Sequence, residues 1–499
     1  MNEAGARERR EVSVGIDMGT QSVRVVVVDD HGSVCALAAE PLTSSRAGDR
    51  HEQSPRSWWD AVGSAARRAI GELDRPVVRA VAVCGTSGTF TLARGTQPVT
   101  TGVMYDDGRG RGCAAAVHEA GGAVWARLGY PMQGTWALPR LCAVLEGLEP
   151  ELRRDWDRGA LTLLHQGDLV NASLTGHRVV TDWAQALKSG YDVERLTWPH
   201  AVLDDLGVSH LGLPEVVAPG TIIGTVGAHA AEHTGIPAGA LVVSGTTDSC
   251  AAQIAAGALD PGSWNSVLGT TLAIKGAATE PLSVPGSGVY SHRAPDGGWL
   301  PGGASSAGAA YLRQEFPGAV GDDSDAAAAG VEPAPGVTYP LVGSGERFPF
   351  DAPTLTAFTT VHEGGHAERY AAALQGLALV ERMAYDVLER HGADVRGPVS
   401  ATGGATGSRY LLQLRADVLG RSLRVPGVSE PAFGMAILAT AAGRESLREA
   451  ARRMVRTRAI VDPDLTRAAI WDEQLALLTD ELARRGVTRE PAHVERASA

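Results

Sequence analysis

The chain has 499 residues, of which 44% are hydrophobic and 20% charged, and its formal net charge is −12. This length accommodates two or three globular domains, and the composition disfavours a disordered chain. The negative charge disfavours nucleic acid or an anionic membrane as the main partner, because like charges repel.

The number and spacing of the cysteines and the composition of residues 1–13 indicate in which cellular compartment the protein works. The five cysteines are dispersed, odd in number and without CxxC spacing, which disfavours a disulfide framework or a zinc site. Residues 1–13 lack the apolar segment of a signal peptide, and no stretch approaches the roughly 18 apolar residues that span a bilayer. We therefore expect a soluble cytoplasmic protein.

The first predicted element is a strand-turn-strand over residues 12–28. Small and β-branched residues alternate before the turn, and a valine-rich run over 23–28 follows it. A glycine at the turn permits close backbone approach, and the hydroxyl and N–H groups can hydrogen-bond an anion. The alternative is an ordinary hairpin tip. The residues at this bend are Asp17, Gly19, Thr20, Gln21 and Ser22.

An amphipathic helix and a second polar bend follow. Residues 54–73 begin with Ser-Pro and show apolar residues at helical spacing, which predicts a helix used for packing. Residues 76–95 predict a strand, a Gly-Thr-Ser-Gly turn and another strand. This second bend carries the hydroxyls of Thr86 and Ser87.

The opening pattern returns in altered form over residues 241–276. A strand ending at Gly245 precedes an alanine-rich helix, and "VLGTTLAIKG" then forms another strand-Gly-Thr-strand element. Two such turns about 250 positions apart suggest two domains of one α/β type that each contribute a turn to a cleft. The predicted domains are residues 1–257 and 258–499.

Asp248 follows two threonines at the end of the strand before the alanine-rich helix. One interpretation is a helix N-cap, which aspartate often occupies. The other is a general base that accepts the proton of a substrate hydroxyl during attack on a phosphoryl group, while Asp17 orients magnesium. The residues alone leave both open.

The last predicted elements surround a glycine-rich turn. Residues 366–392 predict a long helix, and residues 399–426 predict strand, "TGGATGS" turn, helix and strand. Free N–H groups at a helix start can bind an anion or nucleotide, although such junctions are often only structural. The turn is not a P-loop, because no GxxxxGK[ST] occurs. The tail from residue 445 to 499 is interpreted as solvated helix outside the chemistry.

Six motifs in this order resemble the FGGY carbohydrate kinases, and the resemblance runs from Val12 to Gly443. That family has two ribonuclease-H-like α/β domains of the actin and hexokinase superfamily, which flank a nucleotide cleft. The resemblance therefore implies an ATP-dependent sugar kinase that uses Mg²⁺. The motifs are "GIDMGTQSVRVVVVD", "GTSGTFTL", "MYDDGRG", "VSGTTDSCAAQIAAGA", "VLGTTLAIKG" and "TGGATGSRYLLQLRADVLGRSL".

The resemblance assigns a role to each matched residue. Asp248 is the catalytic base, and Asp17 lies near magnesium and the attacking hydroxyl. The first phosphate turn comprises Gly19, Thr20 and Gln21, with Thr20 also counted as catalytic. The second phosphate turn comprises Gly269, Thr270 and Thr271. The adenosine is held by Gly403, Gly404, Ala405 and Thr406, and the sugar contacts are Thr86, Ser87 and Asp107 together with the two catalytic aspartates.

The motifs are more similar to the ribulose kinase branch of plants and cyanobacteria than to glycerol or gluconate kinases. The "GTSGT" bend lacks the histidine that bacterial xylulose kinases usually show there. We therefore expect D-ribulose as the substrate, with D-xylulose or another polyol as the alternative. The protein is expected to be a monomer or homodimer.

Two other classes and four residues stay open. An ATP-driven binding or filament protein would keep the phosphate turns without needing a base, and a degenerate sugar sensor would keep only the fold. His165 and Asp168 can line a sugar pocket or pack in the core, and Lys188 can be structural or contact a closing domain. Cys250 is interpreted as a packed small hydrophobe.

Overall fold

The computed structural model describes residues 10–176, 179–284, 287–318 and 321–487. The strands in chain order are β1 (Glu11–Met18), β2 (Ser22–Asp29), β3 (Val34–Pro41), β4 (Ser45–Ala47), β5 (Arg50–Gln53), β6 (Val77–Gly85), β7 (Phe90–Arg94), β8 (Gln97–Pro98), β9 (Gly102–Val103), β10 (Thr162–His165), β11 (Val180–Asp182), β12 (Glu215–Val217), β13 (Ile222–Thr225), β14 (Leu241–Val243), β15 (Trp264–Leu268), β16 (Leu272–Gly276), β17 (Tyr290–Arg293), β18 (Trp299–Ser305), β19 (Thr338–Glu346), β20 (Ala352–Thr359), β21 (Val399–Thr402), β22 (Leu423–Pro426) and β23 (Thr457–Val461). The helices are α1 (Pro55–Gly71), α2 (Ala114–Leu128), α3 (Ala137–Glu146), α4 (Pro150–Asp157), α5 (Gln166–Thr175), α6 (Trp183–Ala186), α7 (His200–Asp205), α8 (Ala228–Thr234), α9 (Asp248–Ala255), α10 (Ala309–Glu315), α11 (Asp322–Ala329), α12 (His366–Arg390), α13 (Arg409–Leu419), α14 (Pro431–Ala441), α15 (Leu447–Met454) and α16 (Ala468–Arg484).

The described residues form two compact units that are discontinuous in sequence. Unit 1 contains those of Met1–Gly257, His292–Gly298 and Val428–Arg456, and unit 2 contains those of Ala258–Ser291, Trp299–Gly427 and Thr457–Ala499. The segments His292–Gly298 and Val428–Arg456 lie after residue 257, yet they pack with unit 1. A single domain boundary at residue 257 would assign them to the second domain.

The main sheet of unit 1 has the strand order β13-β14-β6-β1-β2-β3. β1 and β2 form an antiparallel hairpin, while β6 lies parallel to β1 on its other side. The predicted strand-turn-strand is thus observed. Helix α1 packs against β2 and β3, and its Trp58 is completely buried, as predicted for a packing helix. A second sheet, β10-β7-β9-β5-β4, contains β7, the strand that directly follows the polar bend.

Helix α14 packs against β1, β6 and α9 within unit 1. Every residue from Ala432 to Ala441 is buried. Gly15 on β1 makes this approach possible, because a Cβ added there would lie 1.8 Å from the carbonyl oxygen of Ala432. The helix therefore contributes an essential part of the unit 1 core.

The main sheet of unit 2 repeats the pairing pattern of unit 1. Its strands lie in the order β17-β18-β16-β15-β21-β22-β23, with β15 and β16 antiparallel and β21 parallel to β15. At one edge of the unit 1 sheet β13 is antiparallel to β14, and at one edge of the unit 2 sheet β23 is antiparallel to β22. Helices α12 and α13 pack together on this sheet, joined by a buried ion pair between Glu381 and Arg415. The duplication predicted from the two turns is observed.

The tail is helical over α15 and α16, as predicted, but the prediction that it is solvated is wrong for these helices because each buries one face. Helix α15 packs against α14 in unit 1, and β23 pairs with β22 in unit 2. Helix α16 buries Trp471, Leu478 and Leu482, because these residues recur at helical spacing on one face. The part of the tail over 488–499 lies outside the described residues.

No helix in the described part of the chain is long and apolar enough to cross a membrane.

Candidate functional site

Asp17 lies at the end of β1 in unit 1, where the strand register gives it two neighbours. It pairs with Arg24 across the β1-β2 hairpin and with Cys84 on β6. Cys84 Sγ is 3.5 Å from Asp17 Oδ1, and Arg24 Nη1 is 3.6 Å from Oδ2. Burial and the adjacent carboxylates raise the pKa of Cys84 well above its ordinary value, so the thiol is a neutral donor.

Burial, followed by the negative charge of Asp248, raises the pKa of Asp17 to about 7. The side chain is 3% exposed by residue area, and the Arg24 guanidinium only partly offsets the effect. Two carboxylates therefore lie close enough to repel each other within unit 1. Such a pair suits a cation or a proton transfer.

Asp248 is the first residue of α9, and Thr247 occupies the N-cap position. The N-cap interpretation of Asp248 is therefore wrong by one residue. Its Oδ1 accepts a hydrogen bond of 2.7 Å from the backbone N–H of Ser249, and the side chain is half-buried. Cys250, in the first turn of the helix, is buried as predicted.

The first Gly-Thr turn is held at its base and open at its tip. Gly19 N–H donates to Ser22 O, and the buried Gln53 amide donates to Thr20 O at 2.7 Å. Gly19 and Thr20 are half-buried, while Gln21 is exposed. The turn thus has a fixed backbone beside Asp17.

The polar bend of residues 85–89 connects β6 to β7 and lies beside the start of α9. Gly85 forms a parallel bridge with Thr247, which places the bend beside Asp248. The Thr86 hydroxyl bonds to Thr89 Oγ1 at 2.6 Å and to Gln166 Oε1 at 3.0 Å. Ser87 is 9% exposed, and its hydroxyl has no hydrogen-bond partner among the described residues.

Asp107 is completely buried, and its carboxylate is engaged by the protein. Oδ2 accepts from His51 N–H at 2.7 Å, and Arg109 donates to both oxygens. Although burial opposes it, bonding to Arg109 lowers the pKa of Asp107. Asp107 therefore holds its own loop in place.

Arg140 on α3 connects the bend to this loop, and no sequence motif indicated it. Its buried guanidinium donates to Gly88 O at 2.6 Å and to the carbonyl of Met104. Burial lowers the pKa of Arg140 to about 9. Lys188 lies beside the same bend, with Nζ 5.8 Å from the centre of the Trp136 ring.

His165 and Asp168 form a buried network at the start of α5. His165 Nδ1 lies 2.7 Å from Asp168 Oδ2, and Nε2 lies 2.8 Å from Ser189 Oγ. Asp168 also accepts from the backbone of His165, which completes a capping box. Both ring nitrogens are used within the protein, so this pair supports the fold of the segment.

The second Gly-Thr turn lies between β15 and β16 in unit 2. Gly269 N–H donates to Thr271 O at 3.0 Å, and Arg313 donates to the Thr270 hydroxyl at 3.3 Å. The backbone of α10 donates to Gly269 O and Thr270 O. Thr270 is exposed, and the Arg313 guanidinium lies beside its hydroxyl.

The glycine-rich turn follows β21 and precedes α13 by one 3₁₀ turn over Gly404–Gly407. Gly403 has a φ of +88°, and a Cβ there would lie 2.5 Å from Leu268 O, so the position requires glycine. The Thr406 hydroxyl donates to Gly403 O at 2.9 Å. The helix itself begins after Ser408, whose hydroxyl caps it.

A cavity of about 580 Å³ in unit 2 brings the two turns together. Gly269 and Thr270 line one part, and Gly404 and Ala405 line another. Three residues that sequence reasoning did not select also line it: Arg313, Asp325 and Tyr370. Asp325 accepts hydrogen bonds from Ser408 Oγ at 2.5 Å and Tyr370 OH at 3.3 Å. The volume suits a nucleotide-sized ligand.

The acidic pair fits Mg²⁺ only as a partial ligand set. The described residues contain no group of three or more histidine, cysteine, aspartate or glutamate side chains arranged to hold a metal. Mg²⁺ commonly binds through one or two carboxylates and completes its shell with water and substrate phosphates. Asp17, with its raised pKa and buried carboxylate, is the residue suited to that role.

Comparisons with known proteins cover most of the chain. Models for the N-terminal and C-terminal domains of the FGGY family of carbohydrate kinases match residues 12–255 and 264–443. A xylulose kinase of Escherichia coli (strain K12) is 28% identical over 445 residues, covering 85% of this chain and 89% of that protein. A xylulose kinase of Streptomyces coelicolor is 30% identical over 433 residues, covering 84% and 85%.

A solved structure shares the fold. The ligand-bound xylulose kinase from Lactobacillus acidophilus superimposes with a TM-score of 0.85 at 19% identity, covering 96% of this chain and 99% of that one. The predicted two-domain α/β fold class is therefore confirmed.

Proposed function

Because this chain belongs to the FGGY family of carbohydrate kinases, we propose that it transfers the γ-phosphoryl group of ATP to the terminal primary hydroxyl of an open-chain ketopentose. Its membership makes it a phosphotransferase that acts on a sugar. The ketopentose, the terminal hydroxyl and the residue roles are the parts that we propose.

The observation that carries the proposal is the carboxylate pair of Asp17 and Asp248 beside the polar bend. In the proposed step, Asp248 accepts the proton of the sugar hydroxyl while that oxygen forms a bond to the γ-phosphorus. The bond between the γ-phosphorus and the bridging oxygen breaks, and ADP leaves with the electron pair. The products are the sugar phosphate and ADP.

The two Gly-Thr turns are proposed to donate hydrogen bonds to phosphate oxygens. Gly19 and Thr20 serve the acceptor side, and Gly269, Thr270 and Thr271 serve the nucleotide side. Mg²⁺, when bound with the nucleotide, neutralises phosphate charge, and Asp17 would hold it. The cavity lined by Gly404, Ala405 and Tyr370 is proposed to hold the adenosine, with Gly403 and Thr406 fixing its turn.

D-ribulose is the first proposed substrate and D-xylulose the second. The bend lacks the histidine that bacterial xylulose kinases usually show near it, which weakens the xylulose assignment. The similar proteins in E. coli and S. coelicolor are named xylulose kinases, which favours xylulose.

The proposed location of the protein is the cytoplasm. All five cysteines are free thiols, which suits a reducing compartment.

The test is a coupled ADP-release assay across ketopentoses, ketohexoses, glycerol and gluconate. We expect the highest kcat/KM with D-ribulose, a lower value with D-xylulose, and little ADP release without sugar. Hydrolysis of ATP that no sugar stimulates would instead support an ATP-driven binding protein. Preference for glycerol or gluconate would overturn the ketopentose assignment.

A further inference from the structure

Two buried glutamines flank the bend of residues 85–89, and each uses only one end of its amide. Gln166 is 0% exposed; its Oε1 accepts from Thr86 N–H at 3.1 Å and from the Thr86 hydroxyl at 3.0 Å. Gln185 is 2% exposed; its Nε2 donates to Gly85 O at 3.2 Å and to Thr246 O at 3.3 Å. The protein contacts thus fix the orientation of both side chains.

The opposite end of each amide has no hydrogen-bond partner among the described residues. These atoms are Gln166 Nε2, which can only donate, and Gln185 Oε1, which can only accept. The hydroxyls of Ser87 and Thr247 are also buried and without a partner in the described part of the chain. Buried polar atoms are normally satisfied, so four such groups around one bend indicate a polar ligand.

The chemistry of these four groups limits the class of ligand that can bind them. All four are uncharged, and one of them, Gln185 Oε1, is an acceptor that needs a donor, which an unprotonated phosphate oxygen cannot supply. Together they offer a donor, an acceptor and two hydroxyls, which match alcohol groups that donate and accept at once. Thr247 directly precedes Asp248, so a ligand bound here has hydroxyls near the candidate base.

We infer that Gln166 and Gln185 bind the non-reacting hydroxyls of the sugar, and that they position its reacting end toward Asp248. This inference rests on the proposed function and adds two specificity-determining residues that sequence motifs did not indicate. Gln166 donates to one hydroxyl oxygen through Nε2, and Gln185 accepts from another hydroxyl through Oε1.

The experiment measures recognition of single hydroxyl groups. The kcat/KM values of the preferred ketopentose and of deoxy analogues, each lacking one non-reacting hydroxyl, are compared in the wild type, Gln166→Met and Gln185→Met. We expect the wild type to prefer the parent sugar by about tenfold for each hydrogen bond made. Each variant should lose the preference at one hydroxyl, and the two variants should lose it at different hydroxyls, with KM for ATP unchanged.

Gln375→Met is the matched control. Gln375 is an equally buried glutamine of unit 2, and both of its amide ends have protein partners, Ala334 N–H and Val331 O. Its variant should keep the wild-type preference at every hydroxyl. If Gln166→Met does not fold, Gln166→Glu retains an oxygen for Thr86 and replaces only the unpartnered donor, and it should lose the same preference.

Sugar binding without ATP separates this inference from the proposed function. The rise in melting temperature on adding the ketopentose is measured for each variant. A sugar that binds with glutamine-dependent preference but is never phosphorylated would overturn only the kinase proposal. A sugar that is phosphorylated with unchanged hydroxyl preference in both variants would overturn only the glutamine assignment. Failure of every sugar to bind the wild type would overturn both.

Discussion

Asp17 combines three properties at one carboxylate: burial, a neutral thiol neighbour and a second carboxylate nearby. The pKa of Asp17 is about 7, against the ordinary 3.8. Between these two pH values the folded protein therefore holds a proton on Asp17 that the unfolded chain releases. The carboxylate is therefore a source of instability in the free protein, which a bound cation would relieve.

Asp17→Asn should stabilise the free protein, and the gain should depend on pH. The folded-state pKa is raised, so wild-type stability declines as pH rises from about 4 to about 7, and the full penalty is present above pH 7. The pKa increase corresponds to about 4 kcal/mol at most. Urea unfolding at pH 5 and pH 8 should therefore show the larger gain at pH 8, and an equal gain at both would contradict the raised pKa.

Asp248→Asn should lower kcat by about 10²–10⁴-fold while KM for ATP stays near the wild-type value, because only the proton acceptor is removed. Ser249→Ala is the control, since it keeps the backbone N–H that contacts Asp248. Steady-state kinetics with the preferred sugar measure both. Wild-type turnover in Asp248→Asn would remove this residue from the proposed chemistry.

Site residues next to strand ends could be predicted from the sequence, whereas their hydrogen-bond partners from other parts of the chain could not. Asp17 and Asp248 stand beside valine-rich strands and Gly-Thr turns, so their neighbourhood was predictable. Gln166 lies next to His165, which the sequence did single out, but only the tertiary fold gives Gln166, Arg140 and Asp325 their partners. Asp107 shows the reverse case, because a polar motif residue turned out to have its oxygens occupied.

At the scale of elements, the two hairpins and the glycine-rich junction matched their predictions because local patterns determine them. The tail matched only in its helices, because its charged residues concealed a buried face. It also contains a strand, β23, which pairs with β22, and α16 packs against α12 and α13, which are remote from it in sequence.

Gly15→Ala should destabilise unit 1 by about 1–3 kcal/mol, because the new Cβ overlaps the backbone of α14 and forces strand and helix apart. Gly122→Ala on α2 is the control, since a Cβ there meets nothing within 4 Å. It should leave stability unchanged or raise it slightly. Urea unfolding of both variants measures the difference; equal stabilities would show that α14 does not approach β1 so closely.

At the scale of the whole molecule, unit 1 depends on a helix that is remote in sequence. A fragment of residues 10–257 lacks α14, so it should expose the apolar surface of β1, β6 and α9 and fail to unfold cooperatively. The same fragment joined to residues 428–456 by a Gly–Ser linker should bind less of a hydrophobic dye and show a cooperative transition. Cooperative unfolding of residues 10–257 alone would contradict this dependence.

The return of residues 428–456 to unit 1 also imposes an order on biosynthesis. A ribosome must translate all of the intervening segment before α14 emerges, so the first half of the nascent polypeptide waits with an uncovered hydrophobic face. We expect molecular chaperones to engage it during that interval, and slow translation between codons 258 and 428 to favour aggregation.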